Sequence, residues 1–260
     1  MIWKVIGQSV IGASHIQSGK KCEDAIHYEI LKSLNDEDVL VGFISDGAGS
    51  AKFAGEASQL SVKNGVDLVK SILENNELID ENHLLEIAET IYSNLEKEAI
   101  SYNVPLNEFS CTLIGFIVSP KRACFLQIGD GAIVKNDGNN FFNFVWWPQN
   151  GEYQNTTTFL IDDRNFRDLK IKIIDDSITE LAVFTDGLQM LALNNETVSV
   201  HQPFFNDLYK WLRIANEEDH ISILNNKLID YLSSDLINNR TDDDKTLLLA
   251  TKIKHDISAI

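Results

Sequence analysis

Up to residue 45 the apolar positions come in short runs rich in β-branched and aromatic residues. WKVIGQSVIGAS (3–14), AIHYEIL (25–31) and VLVGFIS (39–45), separated by polar breaks, predict strands. The period then changes. Phe53, Ala57, Leu60, Val66, Val69 and Leu73 fall mostly at helical spacing and predict a helix over 51–73. Leu84, Leu85, Ile87, Ala88, Ile91, Leu95 and Ala99 mark the broad apolar face of a second helix, which Pro105 and Asn107 close off.

Short strand-like runs return in the middle of the chain: CTLIGFIVS, RACFLQI, GAIVK, NFFNFVWW, TTFLI, LKIKII and ELAVFT. Turn residues separate them (SPKR, NDGNN, PQNGE, DDRN), as expected of antiparallel neighbours. From Gly187 to about Leu236 the pattern is mainly helical, with Leu208, Trp211 and Leu212, then Ile221, Leu224, Leu228 and Leu232. KTLLLATKI closes the chain as a strand. Strands, two helices, many strands, helices and a strand, in that order, predict an α+β fold with a layered β-sheet core and helices outside. The regular alternation of a doubly wound sheet is absent.

With 260 residues, 44 % of them hydrophobic, and no repeat, low-complexity stretch or long linker, the chain reads as one domain over 1–260. No run of about 18 apolar residues predicts a membrane span, and the start lacks the features of a signal peptide. Three cysteines (Cys22, Cys111, Cys124) without a CxxC pair fit reduced thiols, and a cytoplasmic location is expected. A net charge of −17 argues against a nucleic-acid partner, whose phosphates need a basic face.

Part of that negative charge is patterned. FISDG (Asp46), QIGDG (Asp130) and FTDG (Asp186) each deliver a carboxylate where an apolar run stops, and TDDDKT leads into LLLAT. A lone Asp-Gly is usually a turn. After Asp130 another strand follows, so a hairpin turn competes with a ligand role there. After Asp46 and Asp186 the pattern turns helical, which sets those carboxylates at strand-to-helix corners, where sites are built. The three acids of TDDDKT read either as a solvated loop or as carboxylates that a cation neutralises. Converging carboxylate oxygens suit Mg²⁺ or Mn²⁺.

Taken in order, GASHIQSGKKCEDA, FISDGAGSAKFAGEAS, FSCTLIGF, FLQIGDG, AVFTDGL and DDDKTLLLA resemble the successive motifs of metal-dependent protein phosphatases of the protein phosphatase 2C type. The opening SH…GK.CEDA and WWPQNGEYQNTTTFL are most similar to its bacterial branch. Coverage runs from about Ser14 to Thr251. The resemblance implies a β-sandwich of two antiparallel sheets flanked by helices (αββα), with two metal ions at one end. It also implies that Asp46 bridges both ions and that Gly47 offers its carbonyl. Asp186 and Asp243 would complete the first site; Asp243 is preferred to Asp242 because the Asp-x-x-Thr pattern ends at Thr246. Glu23 and Asp24 match acids around the second ion, mostly through water, and Asp130 with Asp186 could hold a weaker third.

The implied activity is Mn²⁺- or Mg²⁺-dependent hydrolysis of phosphoserine and phosphothreonine in proteins, by in-line attack of metal-bound water or hydroxide. Two ions ~3.5–4 Å apart acidify water and neutralise phosphoryl charge, so no nucleophilic side chain is needed. None is signposted: GxSxG and HExxH are missing. A Ser/Thr kinase is the partner the resemblance implies. Two departures stand out. Where the family often has a phosphate-gripping arginine, Gly19 is followed by Lys20 and Lys21, which offer point charges rather than a fork or are simply exposed. Ala48 stands where eukaryotic members carry a histidine, which leaves the general acid unassigned; His15 is the stand-in, and a structural role competes for it. These departures support a rival reading, a catalytically weak phosphoprotein-binding or regulatory module. A calcium-binding β-protein is a third, with no EF-hand spacing to support it.

Overall fold

The computed structural model describes residues 3–75, 78–139, 141–148 and 157–252. After β1 (Trp3–Val10) and a short helix α1 (Ala13–Ser18) come β2 (Ala25–Lys32) and β3 (Asp38–Ser45), then α2 (Ala54–Leu73) and α3 (Glu81–Ser101). The middle holds β4 (Leu113–Val118), β5 (Ala123–Ile128), β6 (Ala132–Asn136), β7 (Asn143–Phe144), β8 (Lys170–Ile174) and β9 (Glu180–Phe184). A turn leads to α4 (Gln189–Ala192) and a small hairpin, β10 (Leu193–Asn194) and β11 (Ser199–Val200). Then follow α5 (Gln202–Ile214), α6 (Glu218–Leu232), α7 (Asp235–Asn238) and β12 (Lys245–Lys252).

Two five-stranded antiparallel sheets result, β1-β12-β9-β6-β7 and β2-β3-β4-β5-β8. Period-two alternation sorts their side chains into layers. Val5, Leu181, Val183, Leu248 and Ala250 point inward to meet Leu40, Ile44, Ile114 and Phe116 between the sheets. Alternate residues Ile6, Ala182, Phe184, Leu247 and Leu249 point outward under α5 and α6, and Val39, Val41 and Phe43 lie under α2 and α3. The order is helix, sheet, sheet, helix. Phe43 fixes one layer spacing: its ring fills the space a Cβ would take at Gly65 of α2 and at Gly115 of β4. Asp80 starts α3 through a capping box, its side chain accepting the His83 N–H at 3.0 Å while His83 Nδ1 receives the Asp80 N–H.

Several sequence expectations change. The opening strand stops at Val10, and Ala13–Ser18 turns helical before Gly19 ends it at φ 71°, a left-handed angle that glycine takes at little cost. TTFLI is loop and turn rather than strand: Leu160 is buried and its N–H goes to the Cys111 carbonyl, so a lone backbone bond replaces a ladder. Among the described residues of NFFNFVWW, only Asn143–Phe144 pair as strand. Residues 149–156, most of WWPQNGEYQNTTTFL, lie outside the described residues. The 187–236 block is helical but interrupted by the β10–β11 hairpin. No helix among the described residues is long and apolar enough to cross a membrane.

Candidate metal centre

The hairpin alternative for Asp130 fails on topology. β5 belongs to one sheet and β6 to the other, so Gly129-Asp130-Gly131 is the crossover between them. Gly129 adopts φ 105°, and the Gln127 amide donates to the Gly129 and Gly131 carbonyls (3.2 and 2.7 Å), which shapes the bend from within. One oxygen each from Asp46, Asp130 and Asp186 come within 4.8 Å of one another. Three strand ends that are distant in sequence therefore meet at one mouth of the sandwich.

Each position is braced by its own backbone. Asp46 donates its N–H to Thr112 Oγ1 (2.9 Å), and its carbonyl accepts the Thr112 N–H (2.8 Å). Gly47 forms a bridge to Cys111 and donates to the Glu23 carbonyl (3.2 Å). A Cβ at Gly47 would collide with the Ala54 and Glu23 carbonyls, so that turn requires glycine. Asp130 accepts the Thr157 hydroxyl at 2.5 Å, and its backbone carbonyl accepts the Gln189 amide at 2.5 Å. Thr185, just before Asp186, donates its N–H to the Thr246 carbonyl (3.2 Å).

Asp24 is 5 % exposed. Its Oδ2 accepts both the Thr185 and Thr246 hydroxyls (2.8 and 2.7 Å), while Oδ1 is buried with no hydrogen-bond partner. Glu23 is held at the rim, with Lys20 Nζ 3.2 Å from one carboxylate oxygen and His15 Nε2 3.6 Å from the other. Asp243 sits exposed at the mouth, its Oδ1 capped by the Asp244 N–H at 2.8 Å. Its charge reaches Asp46, Asp130 and Asp186; Asp242 is instead tied to the N-terminal segment, its carbonyl accepting the Ser14 N–H and hydroxyl.

Lys20 does not stand free. Its ammonium donates to the Gly49 carbonyl at 2.8 Å as well as pairing with Glu23, while Lys21 is exposed. His15 has its Nδ1 2.9 Å from Asp244 Oδ2 and its Nε2 toward Glu23, so both ring nitrogens face carboxylates.

The electrostatics are one-sided. Among the described residues no Lys, Arg or His forms an ion pair with Asp24, Asp46, Asp130, Asp186 or Asp243. Burial, followed by the nearby Asp24, Asp186 and Asp243 charges, raises Asp46 well above the usual carboxylate range. Burial pushes Asp24 up to about 7, although its threonine hydrogen bonds oppose the shift. Burial, then the charges of Asp130 and Asp243, pushes Asp186 up to about 7. Asp130 is raised too, mainly by burial, and Asp243, at the mouth, is raised by partial desolvation and by the Asp244 and Asp242 charges beside it. Clustered carboxylates at that cost are stabilised by a cation, and an all-oxygen donor set with an orphaned buried Asp24 oxygen suits a hard divalent ion.

One organising residue carried no separate signal beyond the acid run. Asp244 is 2 % exposed; its Oδ1 accepts the Gly12 N–H, and its Oδ2 accepts the Glu23 N–H, both at 2.6 Å. Three acids in a row announce a site without saying which one turns inward. Thr112, Gln127 and Thr185 are likewise indistinguishable in sequence from ordinary strand residues.

An αββα sandwich with acids converging at one end of its sheets is the architecture of protein phosphatase 2C-type enzymes. The profile of that family, protein phosphatase 2C, matches residues 11–233. The chain belongs to this family, in its bacterial branch. It is 35 % identical over 252 residues to Serine/threonine-protein phosphatase 3 of Escherichia coli (strain K12), covering 96 % of this chain and 98 % of that one. The fold is similar to the crystal structure of the serine/threonine phosphatase Stp1 from Staphylococcus aureus. There the TM-score is 0.60 at 19 % identity, over 98 % of this chain and 96 % of that one. It is also similar to RsbX, crystallised in complex with magnesium, with a TM-score of 0.54 at 16 % identity over 96 % and 94 %.

Proposed function

We propose that this chain is a Mn²⁺- or Mg²⁺-dependent phosphoprotein phosphatase that hydrolyses phosphoserine and phosphothreonine, acting as one domain in the cytoplasm. The observation that carries this reading is the meeting of Asp46, Asp130 and Asp186 within 4.8 Å, with no side-chain cation among the described residues to neutralise them. In such a site a pair of divalent ions acidifies water and neutralises phosphoryl charge. Asp46, Asp186 and Asp243, with the Gly47 carbonyl, would hold the first ion. Glu23 and Asp24 would orient water around the second, and Asp130 with Asp186 would offer a weaker third place.

The chain's own contribution is positional. The Thr185 and Thr246 hydroxyls fix one Asp24 oxygen and leave the other for the site. Lys20, held at the rim by Glu23 and the Gly49 carbonyl, would offer a point charge to an arriving phosphate. A Ser/Thr kinase is the opposing partner such an activity calls for. The test is hydrolysis of a phosphothreonine peptide with Mn²⁺ by the wild type and Asp46→Asn. Turnover that survives both EDTA and that substitution would falsify the proposal.

One observation favours the second reading, a phosphoprotein-binding module of weak activity. Lys20 is already engaged by Gly49 and Glu23, and no arginine takes its place at that position. Phosphopeptide binding without turnover at saturating Mn²⁺ would select it.

A further inference from the structure

On the helix-covered face of the first sheet, away from the sandwich interior, a cavity of about 670 Å³ opens between α5, α6 and α7. Ile6 and Leu249 form its floor, and Phe204, Leu208, Leu224 and Leu228 its walls. Apolar side chains that normally bury stay open at the rim: Met190 is 70 % exposed, Trp211 57 % and Leu236 65 %. The size falls within the ~300–1,000 Å³ typical of small-ligand pockets, and exposed apolar surface gathered around a concavity marks a binding site.

Charge selects the ligand. Lys227 and Arg240 both line this cavity, and neither makes an ion pair among the described residues, in a chain of net charge −17. Asp207 also lines it and offsets one of these charges, which leaves the wall net positive. Two free cations beside an apolar interior match a ligand with an anionic head and an aliphatic body.

We propose that this cavity binds an amphipathic carboxylate, with an acyl chain between α5 and α6 and its headgroup at Lys227 and Arg240. The wall it would touch is continuous with the acidic centre. Met190 and Leu191 follow directly on the Asp186–Leu188 turn; His201 holds that stretch through the Leu191 and Ala192 carbonyls (3.0 and 2.8 Å). Gln189, on the same short helix, grips the Asp130 carbonyl.

The experiment titrates the full chain with dodecanoate below its micellar range and follows tryptophan fluorescence, with Trp211→Phe assigning the signal. Dodecyltrimethylammonium, of equal chain length and opposite charge, serves as the comparison. Saturable binding of one dodecanoate per chain is expected, about tenfold weaker in the double variant Lys227→Gln/Arg240→Gln, which removes two charge-assisted contacts. Leu208→Trp, which fills the cavity, should weaken it comparably, and melting curves check that each variant folds. Absence of binding overturns the proposal, as does equal affinity for the cationic amphiphile or dodecanoate binding indifferent to both variants. Concentration-dependent dimerisation that shuts dodecanoate out would assign the face to a second copy of the chain, and overturn it too.

Discussion

The Asp244 carboxylate accepts the backbone N–H of Glu23 at 2.6 Å. That bond ties the end of the acidic run before β12 to the CEDA segment near the N-terminus and sets where Glu23 and Asp24 stand. Gly12 and His15 complete the clasp on the same side chain.

Asp244→Ala should orphan two backbone donors, at Gly12 and Glu23, each costing about 1–3 kcal/mol where water does not replace the acceptor. Urea unfolding in EDTA should show a loss of that order, and calorimetric titration should show weakened Mn²⁺ binding. Asp244→Asn, which keeps the shape and one carbonyl acceptor, should retain more of both. An Ala variant with unchanged midpoint and affinity would remove Asp244 from this role.

The raised carboxylates fix the pH dependence of the metal-free protein. Asp24 and Asp186 rise from an ordinary carboxylate value near 3.8 to about 7 on folding, so the folded state binds their protons more tightly than the unfolded state does. Their protonated forms favour folding below about pH 4, and that contribution is lost as pH climbs through about 7. In EDTA the melting temperature should therefore fall from pH 5 to pH 8. Mn²⁺ at ~100 times its pH 8 dissociation constant should restore about 2.7 kcal/mol at pH 8, and the same concentration should restore less at pH 5, where protons compete for the carboxylates. A metal response that does not grow with pH would contradict the clustered-carboxylate site.

Replacing Asp186 by Asn should separate stability from metal binding. Without metal, loss of a buried charge beside Asp130 and Asp243 should stabilise the fold at pH 8, on the order of 1–3 kcal/mol. The same variant should show little melting shift with Mn²⁺. Destabilisation in EDTA at pH 8 would mean that Asp186 is structurally required rather than repelled.

At Gly65 two effects oppose each other. Gly→Ala inside a helix ordinarily gains about 0.5–1 kcal/mol. Here the new methyl would enter the Phe43 ring, and overpacking a core costs ~1–3 kcal/mol, so Gly65→Ala should destabilise on balance. Gly65→Ala combined with Phe43→Leu should recover part of the loss; thermal melts of the two variants decide it.

Lys20 tests the phosphate contact. Lys20→Ala should raise KM for a phosphopeptide several-fold with a smaller change in kcat, while Lys20→Arg, with its bidentate fork, should retain or tighten binding. Equal kinetics in all three would leave Lys20 as a strut between Gly49 and Glu23.

The layered fold and most of its elements were legible because burial imposes a period on the chain. Alternating residues such as Leu247, Leu248 and Leu249 fall on opposite faces of one strand, and Val62, Val66 and Val69 on one face of a helix. The strand-end acids Asp46 and Asp186 were legible for the same reason, since each closes an apolar run that the code marks. Tertiary structure alone decided the rest. At Asp130 a hairpin turn competes with a ligand role until β5 and β6 prove to lie in different sheets. Asp243 and Asp244 are chemically identical neighbours; one faces the mouth, and the other turns inward because Gly12 and Glu23, far away in the chain, present their N–H groups there. Local sequence encodes which face is buried, but partners for buried charge come from segments that meet only when the sheets pack.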